Sequence, residues 1–343
     1  MIQEGEGGAG IPPSIPVAER PKLLLLFICV VLSVFFINSG FLSFLFLAPL
    51  GYAALVYSYA WMVFIVAAAA NGVFSLFAHL FNHYGFGSLL VNIFYFTILS
   101  VCFAYIMRDN KSQNQTVYRF ILASVVGALS LLVIFLGSKG DFAAMIKVQA
   151  ELLASMVAAS PSVANGADVV QRSALEQMLT PEKITEIIKN VALRGGALVS
   201  ALFLFIVNRQ IALAAARLFK KQRHENSLPA FFAPPYTIWI LSFALAAVML
   251  MRLIKAELPE ILAWNVLVIC GILFLAQGAG IVMFTLARRT HSFRLFVNVL
   301  AIVVIFSPLN TFALAALLLL GIAENWLPFR VPKQDGQAST PGP

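Results

Sequence analysis

Charge is what this sequence has least of. Charged residues make up 11% of its 343 positions, where a soluble domain carries about a quarter. Apolar residues make up 61%. Too few polar side chains remain to clothe a water-soluble globule, so a soluble enzyme domain is excluded. Cysteine is nearly as scarce. Cys29, Cys102 and Cys270 each sit in an apolar run, with neither pairing nor metal-ligand spacing between them. A disulfide framework and a zinc ribbon are therefore excluded, and the three read as small buried hydrophobes. The chain has no G-x-x-x-x-G-K-[ST], no H-E-x-x-H and no G-x-S-x-G, so it carries no ATP loop, zincin helix or hydrolase elbow. No pair of carboxylates falls inside an apolar run, which argues against an intramembrane aspartyl protease, and no ladder of acids suggests a proton relay. The expectation is a non-enzymatic protein without cofactor or metal.

What is present in quantity is long uncharged runs. Ile261 to Ala287 holds 27 residues without Asp, Glu, Lys, Arg or His. At 1.5 Å per residue that is roughly 40 Å of helix, more than a bilayer core of about 30 Å requires. Similar runs predict spans over Lys22–Asn38, Phe41–Tyr57, Tyr59–Leu80, Ser88–Met107, Val117–Gly137, Gly195–Leu218 and Tyr236–Met251. A kink is expected at Pro49 within the second. Leu295–Trp326, interrupted at Ser307–Pro308, reads as a hairpin of two short helices. The fold expected is an all-α polytopic transmembrane bundle of about 8–10 spans. Residues 1–20 and 328–343 read as disordered tails; 21–138 and 195–327 hold the spans.

Composition changes between them. Lys139 to Arg194 carries six basic and six acidic residues and reads as two amphipathic helices outside the membrane. In the second, Thr180 is the expected N-cap, Pro181 the first helical position, and Ile184, Ile187, Ile188 and Val191 the apolar stripe. Such stripes pack on each other, lie at the bilayer surface, or dock a protein partner. The formal net charge of +8 calls for no nucleic acid. Its basic residues gather in the short loops 108–119, 217–224 and 288–294, the positive-inside pattern. With ten spans alternating from a cytoplasmic N-terminus, all three loops and the C-terminus fall on the cytoplasmic side of the membrane, and 139–194 falls outside.

Polar groups at membrane depth need a partner or a water-lined cavity. The candidate ligand-binding residues are therefore Asn208, Arg209 and Gln210 in the sixth span, and Asn265 and Gln277 in the eighth. Each also has a plain structural reading: the amides as interhelical ties, Arg209 as an anchor snorkelling to the interface. Gly278 and Gly280 mark a small-residue face for close helix packing. His79 and His83 are spaced as metal ligands, but no third ligand is near in sequence, and they read as interfacial histidines.

Four stretches, taken in order, carry a resemblance. They are Pro49-Leu50-Gly51; Asn208 followed by Leu228-Pro229 and Phe231-Phe232; Asn265 with Phe274-Leu275-Ala276-Gln277-Gly278; and Leu320-Gly321 through Trp326 to Arg330. Together they resemble the YybS-like family of bacterial inner-membrane proteins, a domain of unknown function, over residues 20–332. In its N-terminal organisation that family is similar to the substrate-binding subunits of energy-coupling-factor transporters. The resemblance implies a helical bundle that captures a small molecule and leaves ATP hydrolysis to other chains. The Ala-x-x-x-Ala contact motif of those subunits is missing from the first span, which counts against direct coupling.

Overall fold

A run that enters lipid must satisfy its own backbone polar groups, and a helix does so within the segment. The computed structural model describes residues 23–56, 60–82, 86–107, 113–137, 148, 151–152, 155, 181–220, 230–289 and 307–330, and among them every regular element is helical. Helix α1 spans Leu23–Asn38. A 3-10 turn, Gly40–Leu45, leads into α2, Leu47–Val56. Next come α3, Ala60–Asn82, α4, Phe86–Met107, and α5, Gln113–Gly137. After the 139–180 stretch, α6 covers Pro181–Val191 and passes through a π turn, Ala192–Gly196, into α7, Ala197–Lys220. Then follow α8, Thr237–Leu253, α9, Glu257–Ala287, and α10, Asn310–Ala323.

Among the described residues, five stretches are long and apolar enough to cross a membrane: 61–80, 89–107, 115–133, 185–218 and 257–286. Four shorter apolar stretches accompany them: 23–38, 42–56, 237–253 and 310–323. This is the all-α membrane bundle expected. Its outer surface is built of what a soluble protein hides: Leu23, Ile65, Phe203, Phe243 and Leu262 are between 64% and 73% exposed, as lipid-facing side chains would be.

The interior is aromatic and small. Phe46, Phe64, Phe96, Phe103 and Phe205 are fully buried in the larger core. Phe103 of α4 meets Phe64 of α3 edge-on at 6.1 Å and stacks on Phe205 of α7 at 6.2 Å. Gly51 lets α2 slot between them: a β-carbon there would fall 2.8 Å from Phe103 and 2.9 Å from Ala212. A second core joins α5, α8, α9 and α10 through Val117, Phe231, Ala233, Leu273 and Phe274.

Three details differ from the sequence expectation. Pro49 lies in the first turn of α2 rather than mid-helix, where its missing N–H costs no helical hydrogen bond; the break falls earlier, at Ser39–Phe46. The sixth span is continuous with the amphipathic helix before it, joined at Gly195, whose φ of 105° only glycine adopts freely. Helix α9 begins at Glu257, four residues ahead of the uncharged run. Thr180, most of 139–180, the first half of the expected C-terminal hairpin, residues 1–20 and residues 331–343 lie outside the described residues; the expected C-terminal tail is described at its start, where Arg330 is buried.

The expected small-residue contact is between α9 and α10. A β-carbon on Gly278 would collide with the Leu317 carbonyl, and one on Gly321 with that of Phe274, so two glycines let the backbones touch. Gly280 is also buried on α9. Gly278→Val and Gly321→Val should each lower the unfolding midpoint in detergent, at a cost of about 1–3 kcal/mol from overpacking. Gly271→Ala, whose β-carbon would meet nothing within 4 Å, should leave the midpoint unchanged or raised.

Candidate functional site

The membrane-depth amides each serve a place where the helical backbone is interrupted. Asn208 is fully buried on α7, and its Nδ2 donates to the carbonyl of Phe44 at 2.7 Å and to that of Leu204 at 2.8 Å. Phe44 belongs to the 3-10 turn, where the α-helical ladder is broken. Asn265 donates in the same way to Leu193 at 2.7 Å and to Ile261 at 2.8 Å. Leu193 is in the π turn, beside the non-helical Arg194 and Gly195. Gln277, 2% exposed, accepts at Oε1 from the Ala233 N–H at 3.0 Å. Ala233 lies in the non-helical segment 231–234, followed by Pro234 and Pro235. A buried backbone donor there has to find a side chain.

The other two candidates lie elsewhere. Arg209 is half-buried with its guanidinium 5.7 Å from the centre of the Phe120 ring on α5, and Gln210 is exposed. The five residues therefore do not meet in one cavity. Leu193, the partner of Asn265, lies 15 residues before Asn208, with the non-helical Arg194 and Gly195 between them.

Two ion pairs accompany the ties. Glu324 and Arg330 are paired with their side chains 2% exposed, Nε to Oε1 at 2.7 Å, and the Arg330 guanidinium lies 4.0 Å over the Phe232 ring. The segment 231–234 is thus held by Gln277 on one flank and by Arg330 on the other. Arg194 and Glu260 pair at 3.4 Å, with side chains 40% and 10% exposed, across the π turn and the start of α9.

Among the described residues, an open space lies in the larger core. A cleft of about 460 Å³ is lined by residues of α1, the 3-10 turn, α4, α5 and α7. Its polar groups are Ser43, Asn92, Tyr95 and Ser200; no lining residue is charged. Phe44 and Leu204 form part of the wall, so Asn208 sits directly behind it, bonded to both. Of the five sequence candidates, Asn208 alone touches this cleft, and only through its neighbours. The lining residues had one readable signal: Asn92 and Tyr95 lie at i, i+3 in an otherwise apolar span. Ser200 precedes Leu204 and Asn208 by one and two turns on α7, a face visible only once the partner helix is known.

Interrupted helices sewn to their neighbours, apolar side chains outward and a neutral cleft within define a polytopic helical membrane protein. Residues 25–324 match the family described as "Predicted membrane protein (DUF2232)", and the chain belongs to that family. No curated protein and no solved structure matches it.

The buried pair gives a measurable expectation. Glu324→Gln leaves the Arg330 charge without its counter-ion and should cost about 3–5 kcal/mol, whereas a joint Glu324→Leu, Arg330→Met change should recover most of that loss. Denaturant unfolding of the three proteins in micelles reads the difference.

Proposed function

We propose that this chain is a non-enzymatic membrane protein that binds a small uncharged molecule in the cleft beside Asn208, in a transport-type role. The observation that carries this reading is the cleft itself. Its 460 Å³ lies within the range of about 300–1,000 Å³ typical of ligand sites, and its apolar wall with a few polar groups is the usual make-up of such sites. The 3-10 turn supports it, since irregular backbone at membrane depth is tolerated where it is buried or lines a cavity. The absence of charge among the lining residues selects a neutral ligand with one or two hydrogen-bonding groups. The resemblance to substrate-capturing transporter subunits leans the same way.

Positive-inside loops orient the site. The cleft uses the end of α1, the start of α4, Leu131 near the end of α5 and the start of α7. The basic loops follow the opposite ends of α4 and α7. In a bacterial inner membrane with a cytoplasmic N-terminus, the cleft then opens toward the outer face. Native mass spectrometry of the purified full chain tests binding. Wild type should retain a small molecule that Ser200→Trp, which fills the cleft from its exposed wall, loses at unchanged stability. Equal retention by the two proteins overturns the reading.

The 139–194 segment has its own role in this scheme. Ile187 and Val191 are 56% and 60% exposed, one turn apart on α6, with Glu186 and Lys189 on the opposite face by helical spacing. Because α6 joins α7 through the bend at Arg194 and Gly195, this stripe is placed to lie on the bilayer interface. Ile187→Trp, in a protein whose four native tryptophans are replaced by phenylalanine, should show blue-shifted emission quenched by brominated lipid in nanodiscs. Emission that is shifted but unquenched would overturn this and assign the stripe to a protein partner instead.

A further inference from the structure

Helices α3 and α4 bury a line of polar side chains that the protein does not satisfy in full. Asn92 Nδ2 donates to Ser75 Oγ across the pair at 3.3 Å. Asn71 precedes Ser75 by one turn on α3, and Ser100 follows Asn92 by two turns on α4. With the two helices joined by three residues and packed side by side, that spacing sets all four on one seam. Asn71 is 0% and Ser100 1% exposed. Among the described residues, neither Nδ2 nor Oδ1 of Asn71, nor Oγ of Ser100, has a hydrogen-bonding partner. An amide carries two N–H donors and two acceptor lone pairs, so a bare one at this depth is costly. The neighbours one turn further on are small: Ala67 beyond Asn71 and Ala104 beyond Ser100, 0% and 1% exposed. Asn92, at the other end of the seam, lines the cleft.

We infer that Asn71 and Ser100 form a buried hydration site, in which ordered water bridges amide and hydroxyl and is reached from the cleft past Asn92 and Ser75. The guest is neutral and both donates and accepts. No carboxylate belongs to the seam, so nothing in it favours a cation over water. The site rests on the unsatisfied amide and holds whether or not the cleft takes a larger molecule.

Thiol reactivity tests it, because a cysteine attacks as thiolate and ionises only where water reaches. The full chain in nanodiscs is treated with methyl methanethiosulfonate as Asn71→Cys and, one turn away, as Ala67→Cys; wild type, whose three described cysteines are buried, sets the background. Asn71→Cys should react roughly tenfold faster or more, and equal slow rates overturn the proposal. A second measurement stands if the cysteine variant folds poorly. Asn71→Leu should lower the unfolding midpoint of a hydrated site, and a raised midpoint would show that the amide was bare.

Discussion

In hydrocarbon, a peptide group that leaves its helix has no water to fall back on. That constraint organises this structure. The chain departs from the α-helical ladder at three places where a neighbouring helix supplies an amide: the 3-10 turn, the π turn and the segment 231–234. Asn208, Asn265 and Gln277 answer them in turn. Each amide spans two elements, so each does for tertiary structure what a capping residue does for a helix end. The two cores then fill the space that these ties define, with phenylalanine in the first and a glycine-to-glycine backbone crossing beside the second.

The interruptions also divide the bundle by purpose. Segment 231–234 is clamped on both flanks and buried at Phe231, a closed joint. The π turn, braced by Arg194 and Glu260, redirects an amphipathic helix into a span. The 3-10 turn alone borders open space, and its residues Ser43 and Phe44 line the cleft. Among the three, it is the one whose irregularity creates a concave surface instead of repairing one.

How much of this could be read in advance depended on the range of the interaction. The spans were legible because hydropathy is a property of a contiguous window: Ile261–Ala287 is uncharged whatever surrounds it. The importance of Gln277 and Asn265 was legible too, since an amide in an oily run demands an explanation. Which explanation held was not legible. Their partners, Ala233 and Leu193, are backbone groups 44 and 72 residues away, and backbone groups leave no mark in composition. The same limit hid Gly321 as the counterpart of Gly278. It hid the cleft as well, whose polar groups come from three separate elements and include two serines, a residue too common to stand out. Pro49 misled because proline at the start of a helix and proline within one look alike until the helix start is known.

The tie between Asn208 and Phe44 joins residues 164 positions apart. A chain inserted from its N-terminus therefore carries the carbonyl of Phe44 through the threading of four later spans before its donor exists. During that interval the early helices are a scaffold with an open seam, held by packing and by ties such as Ser33 to Phe46 and Asn92 to Ser75. The arrival of α7 is what converts them into a finished bundle. A polypeptide cut short anywhere between the two would lack the Asn208 donor that ties its entrance turn to the later half of the bundle.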